Sequence, residues 1–333
     1  MTLLAFAGAE DGMGEVSIAG SVIQSTSQKR SGSYSFRGPL TDHELENVLI
    51  LNFSARSEVY FQGAHYTEDN SLFFGDKFLL CWRSGTTILG GLTINSDSLG
   101  YKVWTGDKAT QIGSISAGYQ QSNFILFELR VKLDDAVGVI QIKINGSQVF
   151  DFSGDTKSGT ETTIDNVLFS NSAVYSPGSY FYWDDIIICD TFGPYMNSWP
   201  GGAKIEALRP TGAGAYSQWT PSSENNWECV DETPPSMTDY IESVTTGHKD
   251  SYVMEDIIAD AISVKAVVSR YWGGGGGQIK SLLRIGSTDY VGSAIDVPIS
   301  FSYADEIRYI SPATSNPFTK SELNGLESGI EKV

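Results

Sequence analysis

The chain has 333 residues, 41% of them hydrophobic and 12% aromatic, which is enough for one large or two ordinary packed domains. Its 22 Lys and Arg against 40 Asp and Glu give a net charge of -18, which argues against binding to DNA or RNA. Three widely spaced cysteines exclude a disulfide framework and a Cys-x-x-Cys metal site. We expect a protein made in a cytoplasm and not inserted in a membrane, because its N-terminal apolar run is too short for a secretory signal and no stretch reaches membrane-spanning length.

Short strands dominate residues 1–192. In residues 127–133, within the run 124–133, apolar side chains occupy one parity and charged side chains the other, which indicates a half-buried β-strand. A second alternating run at 138–144 ends in Asn145-Gly146, the signal of a tight hairpin turn. Strand candidates recur roughly every 8–12 residues, the spacing of a β-sandwich or jelly roll. We therefore predict an all-β sandwich domain over residues 1–192.

The closing strand of this domain, residues 180–190, carries the candidate ligand site: Tyr182, Trp183, Asp184 and Asp185. Aromatic side chains there offer a platform for sugar stacking, but alternating aromatics on a strand more often pack into a core. The carboxylates, like Asp134-Asp135, are candidate calcium ligands. Strand-end carboxylates that bind backbone or solvent are the simpler interpretation, so we expect packing here, no cofactor and no metal.

Residues 193–235 differ in composition from the sandwich. They are dense in Pro and Gly, which interrupt regular structure. They also hold Trp199, Tyr216, Trp219 and Trp227, which a bare flexible linker would not contain. We expect an extended arm that packs on a domain surface or on a neighbouring subunit.

Residues 236–333 are predicted to form a smaller C-terminal β domain. Five glycines at 273–277 precede a strand and no Lys-Ser/Thr pair, so they favour a hairpin tip over a nucleotide loop. Thr319-Lys-Ser-Glu322 is a capping box, which predicts a terminal helix to about residue 330. Its apolar stripe would be Leu323, Leu326 and Ile330, facing a core or a partner.

No catalytic constellation is recognisable. The three histidines lack metal-ligand spacing, and no Gly-x-Ser-x-Gly elbow occurs. A glycoside hydrolase needs two carboxylates at a fixed separation, and a Glu-x-Asp-x-x-Glu strand is absent. We therefore predict no catalytic residues and no enzymatic activity.

Three segments of the sandwich resemble a known family. They are Arg30-Ser-Gly-Ser-Tyr-Ser-Phe-Arg37, the hairpin 128–146, and the closing Trp183-Asp-Asp-Ile. Together they resemble the concanavalin A-like, or laminin-G-like, sandwiches, in which such early and late strands lie near the two ends of the domain. The resemblance implies a jelly-roll sandwich over residues 1–192 and leaves the activity open.

The rest of the chain carries a second resemblance. Leu208-Arg-Pro-Thr-Gly-Ala-Gly-Ala-Tyr-Ser-Gln-Trp-Thr-Pro221, Val230-Asp-Glu-Thr-Pro-Pro235 and the ending 317–330 are similar to segments of virion structural proteins of tailed bacteriophages. This implies a non-enzymatic, homo-oligomeric protein of the capsid or tail surface. Its partners would be copies of itself and other virion proteins. They would dock on residues of the arm and the terminal helix: Trp199, Tyr216, Trp219, Trp227, Leu323, Leu326 and Ile330.

Two alternatives stay open. One is a glycan-binding, receptor-recognition module of a fibre, holding a host surface glycan. The other is a glycoside hydrolase, which the missing carboxylate motif disfavours.

Overall fold

The computed structural model describes residues 3–11, 16–39, 45–68, 77–95, 100–116, 122–170, 180–257 and 263–333. The chain divides into two units, Met1–Glu206 and Ala207–Val333. Residues 193–206 of the predicted arm fall in the first unit, and residues 207–235 fall in the second.

The described residues of the first unit form fifteen strands: β1 (Leu3–Ala7), β2 (Ser17–Ala19), β3 (Ile23–Ser25), β4 (Ser35–Pro39), β5 (Val48–Arg56), β6 (Glu58–Thr67), β7 (Phe78–Ser84), β8 (Thr87–Asn95), β9 (Gly100–Thr105), β10 (Thr110–Ile115), β11 (Ile125–Lys132), β12 (Gly138–Ile144), β13 (Ser147–Gly154), β14 (Ile164–Ser170) and β15 (Tyr180–Asp190).

These strands make two antiparallel sheets. The front sheet has the order β13-β12-β11-β6-β15-β4-β3, with β1 also pairing with β15. The back sheet has the order β10-β9-β8-β7-β14-β5-β2. Non-sequential neighbours such as β6 and β15 give the jelly-roll-like crossing of a sandwich. The prediction of an all-β fold with an N-terminal sandwich is confirmed.

The core lies between the two sheets. Phe127, Leu129 and Val131 of β11 are fully buried, as the alternation predicted. Trp82 of the back sheet and Trp183 of the front sheet are the largest fully buried side chains. Removing such surfaces from water is the main favourable contribution to folding.

The hairpin between β12 and β13 has the predicted turn. Asn145 and Gly146 both have positive φ, at 49° and 80°. This is the backbone that a two-residue type I′ turn requires, and it sets the register of both strands.

The second unit is also built of strands. Its described residues form β16 (Pro210–Ser217), β17 (Thr220–Pro221), β18 (Ile241–Glu242), β19 (Lys249–Met254), β20 (Val267–Gly273), β21 (Gln278–Ile285), β22 (Thr288–Asp296), β23 (Ser302–Arg308), the helix α1 (Lys320–Leu323) and β24 (Leu326–Lys332). A five-stranded sheet has the order β16-β19-β24-β21-β22, and β17-β18 and β20-β23 form two small ladders. No helix among the described residues is long and apolar enough to cross a membrane.

The terminal helix is shorter than predicted. The capping box is present, since Thr319 Oγ1 accepts a hydrogen bond from the Glu322 N–H at 3.2 Å. The helix nevertheless ends at Leu323, and Leu326–Lys332 form the central strand β24. The extension of the helix to about residue 330 is therefore wrong. Strand β24 pairs with β19 on one side and β21 on the other, and these two ladders satisfy its backbone better than an isolated short helix would.

A substitution at Gly329 tests how much β24 contributes to the stability of the second unit. A Cβ at Gly329 would lie 1.9 Å from the Asp250 carbonyl oxygen, so Gly329→Ala must push β19 and β24 apart. We expect the free energy of unfolding of the second unit to fall by roughly 2–4 kcal/mol in denaturant titrations. Gly212→Ala in β16 is the control, because nothing lies within 4 Å of that added Cβ. Equal stability of the two variants would contradict the prediction.

Candidate functional site

The front sheet has an inner face, turned toward the core, and an outer face. Along β6 the inner positions include Phe61 and His65, and the alternate outer positions include Gln62 and Tyr66. Each predicted ligand residue on β15 can be assigned to a face in the same way.

Trp183 belongs to the core. Its ring centroid lies 4.7 Å from that of His65 and 4.9 Å from that of Phe169, and its Nε1–H donates to the Ser170 carbonyl at 3.1 Å. The side chain is fully buried, so it has no surface on which a sugar could stack. The sugar-stacking interpretation therefore does not apply to Trp183.

His65 is buried beside Trp183 without a charge. Burial disfavours the imidazolium and lowers the pKa of His65 to about 3. His248 lies elsewhere, with its Nδ1 3.2 Å from the Ser243 Oγ, and His43 lies outside the described residues. Neither described histidine is within a group of acidic or thiol side chains that could hold a metal.

Asp184 and Asp185 lie at a break in the β15–β6 ladder. The register shifts between Asp184 and Ile187, and Asp185 has a φ of 51°, a conformation unusual for a residue other than glycine. The bulge places both carboxylates on the outer side of the sheet, although each residue is fully buried.

These two carboxylates bind the chain itself. Asp184 accepts hydrogen bonds from the backbone N–H groups of Arg30 at 2.7 Å and Ser31 at 3.2 Å. Asp185 forms an ion pair with Arg30 Nη1 at 2.6 Å and accepts hydrogen bonds from Ser31 Oγ at 2.5 Å and Ile205 N at 2.7 Å. Burial and the neighbouring charge of Asp185 raise the pKa of Asp184. We refer to this cluster as the carboxylate bulge.

Neither predicted calcium pair is arranged as a metal site. Among the described residues, no group of three or more His, Cys, Asp and Glu side chains could hold an ion. Asp134 instead accepts from the N–H groups of Ala136 and Val137, both at 2.9 Å, which lowers its pKa. Asp135, which is exposed, forms an ion pair with Lys157 at 3.0 Å.

Residues 199–205, which we call the strap, cross the outer face of the front sheet. The Trp199 ring packs edge-on against Tyr60 at 5.5 Å, with Lys143 Nζ 4.0 Å from its centroid. The Gly201 N–H donates to Glu128 Oε1 at 2.8 Å, and Gln62 Nε2 donates to the Ala203 carbonyl at 2.7 Å. Trp199 therefore packs on its own unit.

Beside the strap, a row of side chains crosses one end of the outer face. It contains one residue from each of five adjacent segments: Ile23, Arg37, Tyr182, Tyr66 and Phe124. Arg37 pairs with Ile23 and with Tyr182, and Tyr182 pairs with Tyr66. The Tyr66 ring lies 5.6 Å from that of Tyr182 and 5.3 Å from that of Phe124. At about 4.8 Å per strand, the row is roughly 19 Å long. We call it the cross-strand row.

Polar groups accompany the aromatic rings of the row. Tyr182 Oη donates to Glu68 Oε1 at 2.6 Å, and burial together with Glu68 raises the pKa of Tyr182 above its usual value. Tyr182 is thus a hydroxyl donor at neutral pH. The Arg37 guanidinium lies 4.2 Å from the centroid of the Tyr180 ring, and its buried Nε has no hydrogen-bond partner among the described residues. The row therefore combines apolar faces, a partly exposed guanidinium and a carboxylate acceptor.

Sequence reasoning found only Tyr182 of this row. The period-two pattern alone places Arg37, Tyr66 and Tyr182 on polar or outer positions. Bringing them together needs the pairing of β4, β15 and β6, whose order in the sheet is not their order in the chain. No local motif contains that information.

The remaining arm residues pack on the second unit. Tyr216 Oη donates to Asp289 Oδ2 at 2.7 Å, and Trp219 Nε1 donates to the His248 carbonyl at 3.2 Å. Trp227 and Tyr216 line a small cavity of about 60 Å³. The buried Asp250 joins this arm to β19, because it accepts from Gln218 N at 2.7 Å, Trp219 N at 3.0 Å and Asn226 Nδ2 at 2.6 Å.

Three residues of the predicted assembly interface lie inside the second unit. Leu323, Leu326 and Ile330 are only 4%, 5% and 9% exposed. Leu323 and Leu326 share a core with Leu283 and Phe318. These side chains pack in the core of the unit, one of the two placements left open by the sequence, and their part in an assembly interface stays a prediction.

No protein-family model and no curated protein sequence matches the chain significantly. Solved structures do match. An endo-β-1,4-glucuronan lyase from the fungus Trichoderma reesei matches at 11% identity and TM-score 0.41, over 58% of this chain and 95% of the lyase. Domain 4 of an extracellular arabinanase from Geobacillus stearothermophilus, in complex with arabinotriose, matches at 10% identity and TM-score 0.39, over 56% and 92%. A galectin from Caenorhabditis elegans matches at 11% identity and TM-score 0.30, over 46% and 94%.

With TM-scores below 0.5, these matches assign no ligand to this chain. They do contradict the prediction that the chain is not an enzyme. The matched structures include polysaccharide lyases and a domain of a glycan-degrading hydrolase. The absence of one family's carboxylate motif was too narrow a basis for excluding catalysis.

The carboxylate bulge predicts a large stability effect. Asp185→Ala leaves Arg30 without its buried partner and removes the acceptor of the Ile205 N–H, so we expect a loss of about 3–5 kcal/mol in the free energy of unfolding. Asp135→Ala is the control, because Asp135 is 76% exposed and its ion pair with Lys157 should contribute less than about 1 kcal/mol. Similar denaturant midpoints for the two variants would refute the structural role of the bulge.

The buried His65 predicts loss of stability in acid. The native imidazole stays neutral down to about pH 3, whereas in the unfolded chain it takes up a proton near pH 6.5. Stability from this source is therefore complete above pH 6.5 and declines by up to about 1.4 kcal/mol per pH unit below it. Between pH 6.5 and about pH 5, His65→Gln should lose about 2 kcal/mol less stability than the unsubstituted protein. Parallel pH profiles would show that His65 does not cause the decline.

Proposed function

We propose that the first unit binds an oligosaccharide along the cross-strand row. The observation that carries the proposal is the placement of aromatic rings, a partly exposed arginine and a carboxylate within one strip of the outer face. Such a strip meets both requirements of a sugar, because ring faces pack on its C–H groups while the polar groups pair with its hydroxyls. Tyr66, Tyr180 and Phe124 retain partial exposure, which leaves their rings accessible.

The shape of the strip favours a ligand that lies across the strands. The strap already occupies the adjacent part of the face, since a Cβ on Gly202 would lie 3.2 Å from Leu126, two residues along from Phe124. On the other side, β6 ends at Thr67 and β15 begins at Tyr180. The strip is thus about two residues deep along the strands, or roughly 7 Å, but roughly 19 Å long across them.

The two ends of the strip differ in chemistry. Ile23, which is 47% exposed, extends it along the edge strand β3 as an apolar surface. Phe124 closes the other end against Tyr66. Arg37 and Glu68 lie between these ends and would fix the orientation of the sugar, whereas Tyr182, which is fully buried, supports the two side chains from below.

A virion location stays a prediction, and with it the docking of copies of this chain or other virion proteins. It rests on the sequence resemblance alone, because the comparisons lend it no support. Immunogold labelling of intact particles would check it, and the absence of label from every particle surface would contradict it.

The binding proposal is tested by removing ring faces from the row. We expect Tyr66→Ala and Phe124→Ala each to weaken binding of the best glycan-array ligand about tenfold or more, measured by calorimetry. Phe192→Ala is the matched control, because Phe192 is a 62% exposed aromatic outside the row. Circular dichroism checks that each variant is folded. Since lyases are among the matched structures, the bound oligosaccharide should also be examined for cleavage by mass spectrometry.

The proposal fails if no glycan binds. It also fails if a bound glycan tolerates both row substitutions as well as it tolerates Phe192→Ala.

A further inference from the structure

We infer that the cross-strand row selects neutral sugars over uronic acids. This inference rests on the proposed binding function and names the chemical class of its ligand. It follows from the charges of the row and from the hydrogen-bonding capacity that the row leaves unused.

Glu68 is the first reason. Its exposed carboxylate accepts from Tyr182 through Oε1, and Oε2 makes no hydrogen bond within the described part of the chain. An ionised carboxylate only accepts hydrogen bonds, so a sugar hydroxyl can pair with Oε2 whereas a second carboxylate cannot. Two carboxylates at one site also repel each other.

Arg37 is the second reason. An arginine alone would favour a carboxylate ligand, because paired charges strengthen the hydrogen bond. Here its charge is already balanced: Glu68 and Arg37 act on the same Tyr182 hydroxyl, and their charges shift its pKa in opposite directions. Arg37 is partly exposed, so its guanidinium is a donor group beside Glu68, although its Nε is buried. A donor and an acceptor side by side match two neighbouring hydroxyls, each of which both donates and accepts.

The net charge of the whole chain also favours neutral sugars over uronic acids. At a net charge of -18, the protein repels a polyuronate before contact is made. This long-range repulsion is screened over about 8 Å at physiological salt. Under that condition Glu68 and Arg37 decide the selectivity between neutral and acidic sugars, and at low salt the net charge adds to it.

The test compares two tetrasaccharides that differ only at C6, the neutral hexose form and the matching hexuronate form of the best array ligand. Cellotetraose and the β-1,4-linked glucuronate tetramer are such a pair. We expect the neutral form to bind at least about tenfold more tightly at roughly 20 mM salt. This gap between the two affinities should narrow at roughly 500 mM salt, because the repulsion is screened.

Two charge-removing variants locate the cause. Glu68→Gln keeps an acceptor for Tyr182 and should reduce the gap to about threefold or less at low salt. Asp151→Asn removes the same charge from the edge strand β13 of the front sheet, and should leave the gap unchanged.

The outcomes separate the two proposals. Equal or tighter binding of the uronate form would overturn the neutral-sugar inference while the binding function stands. If Glu68→Gln and Asp151→Asn narrow the affinity gap equally, the role of Glu68 is overturned. Binding of neither form, nor of any array glycan, would overturn the binding function and this inference with it.

Discussion

The carboxylate bulge on β15 is the constraint on which the first unit depends. Asp184 and Asp185 are buried acceptors in the middle of the front sheet, and they are tolerable there only because donors satisfy them. Those donors come from distant segments, the Arg30–Ser31 loop and Ile205 at the end of the strap. The bulge therefore fixes the early loop and the strap against the same strand, and leaving one partner unpaired would affect both.

The candidate site is a consequence of this arrangement. Once the bulge and Gln62 hold the strap, the middle of the outer face is covered by the chain itself. What remains is the strip beyond Leu126, where β15 continues with Tyr182 and Tyr180. The same strand thus supplies the structural anchor and, a few residues earlier, the surface we propose for ligand binding. The change of role follows from burial, which is complete from Tyr182 to the bulge and partial only at Tyr180.

The second unit also has a buried carboxylate that attaches a distant segment of the chain to a sheet. Asp250 is fully buried on β19 and accepts backbone N–H groups of Gln218 and Trp219, which attaches the arm to its sheet. Around Asp289, ion pairs with Lys249 and Arg284 surround the Tyr216 ring. Many of the chain's acidic residues thus act as internal acceptors, and their number reflects architecture as well as solubility.

The sequence by itself determined the fold class and several local structures. Alternation in β11 and β12, the Asn145-Gly146 turn and the Thr319 capping box depend on neighbours in the chain, so they can be recognised locally. Only the tertiary structure decided that residues 326–332 form a central strand, because the ladders to β19 and β21 outweigh helical spacing. It also decided that Trp183 is core and that Tyr66, Tyr182 and Arg37 form one row. Those outcomes depend on which strands pair and in which register, and that choice is made by the burial of the whole sheet rather than by any single segment.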